Sequence, residues 1–159
     1  MPPHTERKQT KLIVHRDKLN IATTREYEIV DITADVEKAL IASGIEEGYA
    51  LVYSPHTTCG VMVNERESGL LIDIQTCMTR LVPSQQGYLH DDFTVRTENM
   101  HEDETQNCHA HLRQLISART SEYIPVSEGA LMLGEWQRVM FVEFDRARDR
   151  QVLIQVCGV

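Results

Sequence analysis

The run Tyr49-Ala50-Leu51-Val52-Tyr53 constrains the fold more than any other stretch of this chain. Five consecutive uncharged residues, rich in aromatic and aliphatic side chains, are too short for a buried helix and read as a strand covered on both faces. A strand covered on both faces needs further layers of structure on either side of it. It also leads directly into Ser54-Pro55-His56-Thr57-Thr58-Cys59-Gly60-Val61-Met62-Val63-Asn64-Glu65, which gathers an imidazole, hydroxyls, a thiol, an amide and a carboxylate. A rigid strand that ends in such a cluster is a common way for a scaffold to present a site.

The rest of the chain supplies the layers. Lys11-Leu12-Ile13-Val14-His15 and Tyr27-Glu28-Ile29-Val30-Asp31-Ile32 have strand character, and the polar segment Asp17–Arg25 suits a hairpin-like connection between them. A helix is expected over 34–43, with Thr33 as N-cap and Gly44 as its stop. After Glu65, Leu70, Leu71, Ile74, Met78 and Leu81 form one helical apolar stripe that ends at Pro83. Residues 84–106 read as a long polar loop, a feature usually functional in a compact domain. Asn107 is the expected N-cap of a third helix that points Cys108, Leu112, Leu115 and Ile116 at the core. Strands follow over 123–126, 130–133, 139–144 and 152–156, the last two flanking a charged Asp145–Arg150 turn as an antiparallel hairpin. This grouping gives an α+β class: a mixed or largely antiparallel β-sheet with about three helices packed on it. Residues 1–9 read as a flexible N-terminus and 10–159 as a single domain, long enough to bury a real core.

Composition narrows the function. With 24 acidic against 16 basic residues the net charge is −8, which opposes binding to nucleic acid or to an anionic membrane. No run reaches the roughly 18 apolar residues of a membrane span and no signal peptide is visible, so the expectation is a soluble cytoplasmic protein. Cys59, Cys77, Cys108 and Cys157 show no metal-binding or redox spacing and are expected to stay reduced, with Cys77 and Cys157 as small core residues.

Five of the seven histidines fall between positions 56 and 111. Imidazoles are frequent transition-metal ligands, and three that leave an open position form a common catalytic zinc arrangement. His109 and His111 are two apart on the third helix and so point about 200° apart. His111, on the side of Leu115, is the better candidate. The string His101-Glu102-Asp103-Glu104-Thr105 lacks the second histidine of a zinc protease, and no phosphate-binding glycine loop or nucleophile elbow is present. Cys59 reads as a buried thiol. Thr57 and Thr58 could bind an anion such as phosphate. Glu65 is open between general base, metal ligand and helix cap. The single tryptophan, Trp136, beside Gln137, is either core or the wall of a pocket for a flat ring. Arg146, Arg148 and Arg150 alternate and could together hold a phosphate, the alternative being a solvated tip.

Taken in order, His56-Thr57-Thr58-Cys59-Gly60 with Asn64-Glu65, Leu81-Val82-Pro83, Tyr88, His90, Asn107, Ala110-His111-Leu112, Ile124-Pro125-Val126, Gly129, Leu133-Gly134, Trp136-Gln137 and Glu143 resemble the YjbQ-like family, also labelled secondary thiamine-phosphate synthase. The resemblance spans about Leu12 to Val156. It implies an α+β fold, a homotrimer, and a site holding His56, His90 and His111 with Asn64, Glu65, Trp136 and Gln137 nearby. It also implies an enzyme that joins a hydroxymethylpyrimidine diphosphate to a thiazole phosphate and releases pyrophosphate, as a weak secondary activity.

On that view His56, His90 and His111 hold a divalent metal, zinc or magnesium, or a phosphate. His56, Glu65 and His111 serve the chemistry. Thr57, Thr58, Asn64, Trp136, Gln137 and Arg148 bind a phosphorylated small-molecule substrate. The alternatives are a metal-dependent hydrolase of a phosphorylated metabolite and a non-catalytic ligand-binding trimer. Two departures bear on the substrate: the family's Gly-Thr-Trp-Gln stands here as Gly134-Glu135-Trp136-Gln137, and its Asp-Gly-Pro-Arg turn as Asp145-Arg146-Ala147-Arg148.

Overall fold

A computed structural model describes residues 11–159; the expected flexible stretch 1–9 lies outside the described residues. Eight strands and three helices follow in the order β1 (Ile13–Ala22), β2 (Glu28–Asp31), α1 (Thr33–Ser43), β3 (Gly48–Tyr53), β4 (Cys59–Glu65), α2 (Ser68–Leu81), α3 (Cys108–Ser117), β5 (Ser121–Ser127), β6 (Ala130–Leu131), β7 (Gln137–Glu143) and β8 (Asp149–Gly158). The strands form two antiparallel sheets, β1-β8-β3-β5-β6 and β2-β7-β4. This is the expected α+β class with three helices.

The run Tyr49–Tyr53, expected to be covered on both faces, buries only the Ala50 and Val52 face and leaves Tyr49 and Tyr53 exposed on the other; the strand covered on both faces is β7. Val139 and Phe141 pack into one core with Val36, Ala39 and Leu40 of α1 and with Ala50, Val52, Val152, Ile154 and Val156 of the larger sheet. Met140 and Val142 point the other way, into a second core with Met62, Met78 of α2 and Ala110 of α3. The three-stranded sheet is therefore a middle layer, covered on one side by the larger sheet and α1 and on the other by α2 and α3. A strand covered on both faces carries apolar side chains on each, which explains the unbroken run Val139–Val142; Glu143, which follows it, is buried as a charged residue. Gly60 in β4 has a packing reason: a Cβ there would stand 2.7 Å from the carbonyl oxygen of Arg119. Its absence lets the chain leaving α3 bridge Val61.

Two expected hairpins are absent because sheets outrank sequence adjacency. β1 extends through the polar segment to Ala22 and pairs with β8, while β2 pairs with β7 in the other sheet. The charged alternation that looked like a connector is an edge strand with Leu19 and Ile21 turned toward the core. Likewise β7 and β8 belong to different sheets, so Asp145–Arg148 is the corner where the chain changes sheet.

Helix details also differ from expectation. Thr33 is the first residue of α1; it donates its hydroxyl to Asp31 Oδ1 (2.7 Å) and accepts the Val139 N–H (2.9 Å). Glu67, whose carboxylate accepts from Gly69 and Leu70 (both 2.8 Å), caps α2, a role considered for Glu65. Leu81 and Cys77, expected in the core, are exposed, whereas Cys157 is buried; all four cysteines are free. The largest inversion is α3, which buries Ala110, His109, Arg113 and Gln114 and leaves Leu115 and Ile116 exposed. No helix among the described residues is long and apolar enough to cross a membrane.

Candidate functional site

A cavity of about 800 Å³ opens where the Ser54–Thr58 loop, the sheet-changing corner and the start of α3 converge. Nearly half its wall comes from residues 89–105, so the long polar loop is a structural part of the site. A short 3-10 turn, Leu89–Asp91, anchors that loop. Asp91 Oδ1 accepts the main-chain N–H groups of Asn107 (3.0 Å) and Cys108 (2.9 Å), and this carboxylate from the loop, not Asn107, caps α3. The side chain of Asn107 is thereby free to donate to Asp145 Oδ2 at the corner (3.2 Å).

The floor of the cavity is a buried ion pair. Arg150 donates to both carboxylate oxygens of Glu143 (2.5 and 2.7 Å), and its Nη2 also donates to Thr58 Oγ1 (2.8 Å). Glu143 is fully buried and takes a further N–H from Asp145. Such a pair tolerates burial because both carboxylate oxygens and the Nε and Nη2 of the guanidinium find partners. It ties β7, the corner, β8 and the start of β4 into one rigid block. Arg148 pairs with Asp145 (3.1 Å), and Arg146 donates to Thr105 Oγ1 (2.5 Å) across the mouth. Burial works to raise the Asp145 pKa, but the Arg146 main chain, Asn107 and Arg148 together hold it below the ordinary carboxylate range. The alternating arginines are thus neither a solvated tip nor three free phosphate ligands: all three line the cavity, each with an internal partner.

His56, His90 and His111 all line this cavity. The rings of His90 and His111 meet edge to face with centroids 4.7 Å apart. Burial and the neighbouring His90 lower the pKa of His111, and burial with Arg150 lowers that of His56. The Gln151 main-chain N–H donates to His56 Nε2 (3.1 Å). Arg96 donates to His90 Nε2 and to the His90 carbonyl (both 3.2 Å), and reaches Glu104, Glu98 and Asn99 as well. Arg96 is the hub of the loop and had no signal in the sequence beyond its position in a polar stretch. No trio of His, Cys, Asp or Glu among the described residues is arranged to hold a metal ion. The three-histidine metal set does not fit the donors that occupy His56 Nε2 and His90 Nε2.

Other candidates separate from the cavity. Thr57, Thr58 and Arg148 line it, as does His101. Asn64 and Glu65 lie at the far end of β4, exposed, with Glu65 six strand steps or roughly 20 Å from Cys59. Gln137 pairs with Glu65 there, and Trp136 beside it is 66% exposed. Gln137 Oε1 accepts the Gly134 N–H (2.8 Å). His109 faces away from the cavity, buried, with Nε2 3.4 Å from Glu26 Oε1. Cys59 is packed beside Ser54, and burial pushes its thiol up to about 11, which removes it as a nucleophile near neutral pH.

Residues 17–159, which include both sheets and the cavity lining, fit the family described as UPF0047 protein YjbQ-like. The chain belongs to the YjbQ-like UPF0047 family. Among its relatives, a UPF0047 protein of Archaeoglobus fulgidus is 39% identical over 138 residues, covering 87% of this chain and 98% of the relative. A UPF0047 protein of Methanothermobacter thermautotrophicus is 34% identical over 91% of this chain and 93% of its own length. A crystal structure of a YbjQ-like protein of unknown function from Sulfolobus solfataricus superimposes with a TM-score of 0.83 at 31% identity, covering 94% of this chain and all of that one. A hypothetical protein from Aeropyrum pernix gives 0.78 at 35% identity, covering 91% and 98%. The YjbQ-like fold thus extends over both sheets and the segments that line the cavity.

Proposed function

We propose that this YjbQ-like chain is an enzyme of phosphorylated small molecules, with thiamine-phosphate synthesis as its reaction. The observation that carries this reading is the single cavity in which Arg146, Arg148 and Thr57 surround His56, His90 and His111. In the reaction the ring nitrogen of a thiazole phosphate forms a bond to the methylene carbon of a hydroxymethylpyrimidine diphosphate. The carbon–oxygen bond breaks, and pyrophosphate departs with the electron pair. The main demand on the protein is to stabilise negative charge that grows on the leaving group, and fixed N–H donors in a partly desolvated cavity do this well. Arg148 and the histidine N–H groups face that charge, and His111, whose ring has no hydrogen-bond partner among the described residues, exchanges protons with the ligand.

Trp136, Gln137, Asn64 and Glu65 enter the same reading through assembly. In a homotrimer, the tip of one copy's three-stranded sheet reaches the cavity of the next and brings an aromatic wall and a carboxylate to it. Purified protein supplied with both precursors is expected to form thiamine phosphate, with a drop of about a hundredfold or more for His111→Ala, the lower end for loss of a general acid–base group. Equal product formation by wild type and His111→Ala, or none by either, removes the assignment; a ligand-stabilised fold without turnover would leave a binding protein.

A further inference from the structure

The polarity of the groups behind the histidines decides what they can hold. A neutral imidazole has one N–H and one lone pair. At His56 the Nε2 lone pair accepts the Gln151 main-chain N–H (3.1 Å). At His90 it accepts Arg96 Nη1 (3.2 Å), a group that has only donors. Both rings therefore carry their proton on Nδ1. Neither Nδ1 has a partner among the described residues, and neither is among the buried polar atoms left without one, so each N–H is open at its ring edge. Both residues line the cavity.

Metal-bound histidines have the opposite arrangement. The lone pair goes to the metal, and the second nitrogen donates its N–H to a carboxylate or carbonyl behind it. Here the groups behind the rings are donors. For His56 or His90 to ligate a metal through Nδ1, the ring would have to give up its only proton; through Nε2, it would have to abandon a main-chain or guanidinium bond.

We infer that His56 and His90 are locked in the Nδ1–H tautomer and act as a pair of neutral hydrogen-bond donors to an oxyanion, a phosphate or diphosphate group, in place of a metal ion. Arg96 is then a positioning residue: it sets the His90 tautomer and, through Glu104 and the Glu98 and Asn99 carbonyls, the loop that carries the ring. The lowered pKa of His56 agrees with a ring that stays uncharged while it donates. The inference rests on the reading of the cavity as a site for phosphorylated molecules, but not on the particular group transfer.

Nitrogen-15 imidazole shifts of the wild-type protein at neutral pH test the tautomers directly, with no variant to fold. Nδ1–H signatures for His56 and His90, unmoved by added zinc, are expected; Nε2–H signatures, or zinc-dependent shifts of both rings at one equivalent, overturn the proposal. Calorimetry with pyrophosphate tests the ligand. An asparagine amide nitrogen occupies the place of Nδ1 and a glutamine nitrogen that of Nε2, so His90→Asn should keep affinity within about threefold. His90→Gln, whose amide can still accept from Arg96 but puts no donor at the Nδ1 place, should lose about tenfold or more, the scale of one hydrogen bond left unmade. Equal loss in both variants, or no pyrophosphate binding by wild type, overturns the oxyanion assignment. Pyrophosphate binding with the expected tautomers but no thiamine phosphate formed would remove the reaction proposed above and leave this inference standing.

Discussion

At the scale of single residues, the site is built from charges that answer one another, and their removal should be felt unevenly. Glu143→Gln leaves Arg150 buried beside a neutral amide and is expected to cost about 3–5 kcal/mol in urea unfolding. The double variant Glu143→Gln with Arg150→Met should recover part of that loss, since an uncompensated buried charge is worse than none; a strictly additive loss would argue against the pair as a unit. Asp145 gives a pH signature. Its folded-state pKa is held below the ordinary value, so its contribution is present above the ordinary Asp range and fades as pH falls through the folded value. The stability gap between wild type and Asp145→Asn should therefore shrink as pH drops from about 6 to about 3; a gap that widens would contradict the sign. Residue types were readable in the sequence: His56, His90, His111 and the alternating arginines all reached the cavity. Their partners were not, because Glu143, Gln151 and Arg96 act through three-dimensional proximity across two sheets and a loop, with no spacing to announce it.

At the scale of elements, the sequence revealed which segments are strands and helices better than which face each turns inward. Helix α3 shows why. Its apolar residues Leu115 and Ile116 suggested a core face, yet small Ala110 is what joins the core of β4 and β7, and Arg113 is buried over the Tyr27 ring with its guanidinium satisfied by the Val82 carbonyl, Glu26 and Ser84. An arginine with partners for each of its nitrogens can be buried where periodicity expects leucine. Leu115→Ser should then change stability by no more than about 0.5 kcal/mol. Ala110→Leu, inserted into a filled site, should cost about 1–3 kcal/mol. The reverse ranking in thermal melts would mean that the helix is turned as the sequence suggested. Asp91→Ala removes the cap of α3 and is expected to cost about 1–2 kcal/mol. Because the same side chain anchors the cavity loop, it should also raise amide exchange across residues 89–105; protection that stays at the wild-type level would separate cap from loop. The loop's length hinted at function, but its order comes from Arg96 and Asp91, which no pattern of hydrophobicity encodes.

At the scale of the whole molecule, one chain leaves a contradiction that assembly would resolve. The cavity gathers the histidines and arginines, while Asn64, Glu65, Trp136 and Gln137 sit at the opposite end of the middle sheet, with Trp136 two-thirds exposed and Met132 exposed near it in sequence. A large aromatic side chain in water makes no contribution to folding, and an exposed tryptophan is a common anchor of an interface. Because Trp136 is the only tryptophan, its fluorescence reports on that tip alone. In the proposed homotrimer the indole would be covered by the neighbouring copy. Emission should then be blue-shifted at micromolar concentration, move to the red on dilution, and do so in step with a fall in light-scattering mass from three chains to one. Trp136→Ala should weaken assembly without lowering the stability of the dissociated chain, because the side chain touches little within its own fold. A single-chain mass at every concentration, with emission that stays red, would leave the tip solvated and return the site to the residues that one chain brings together.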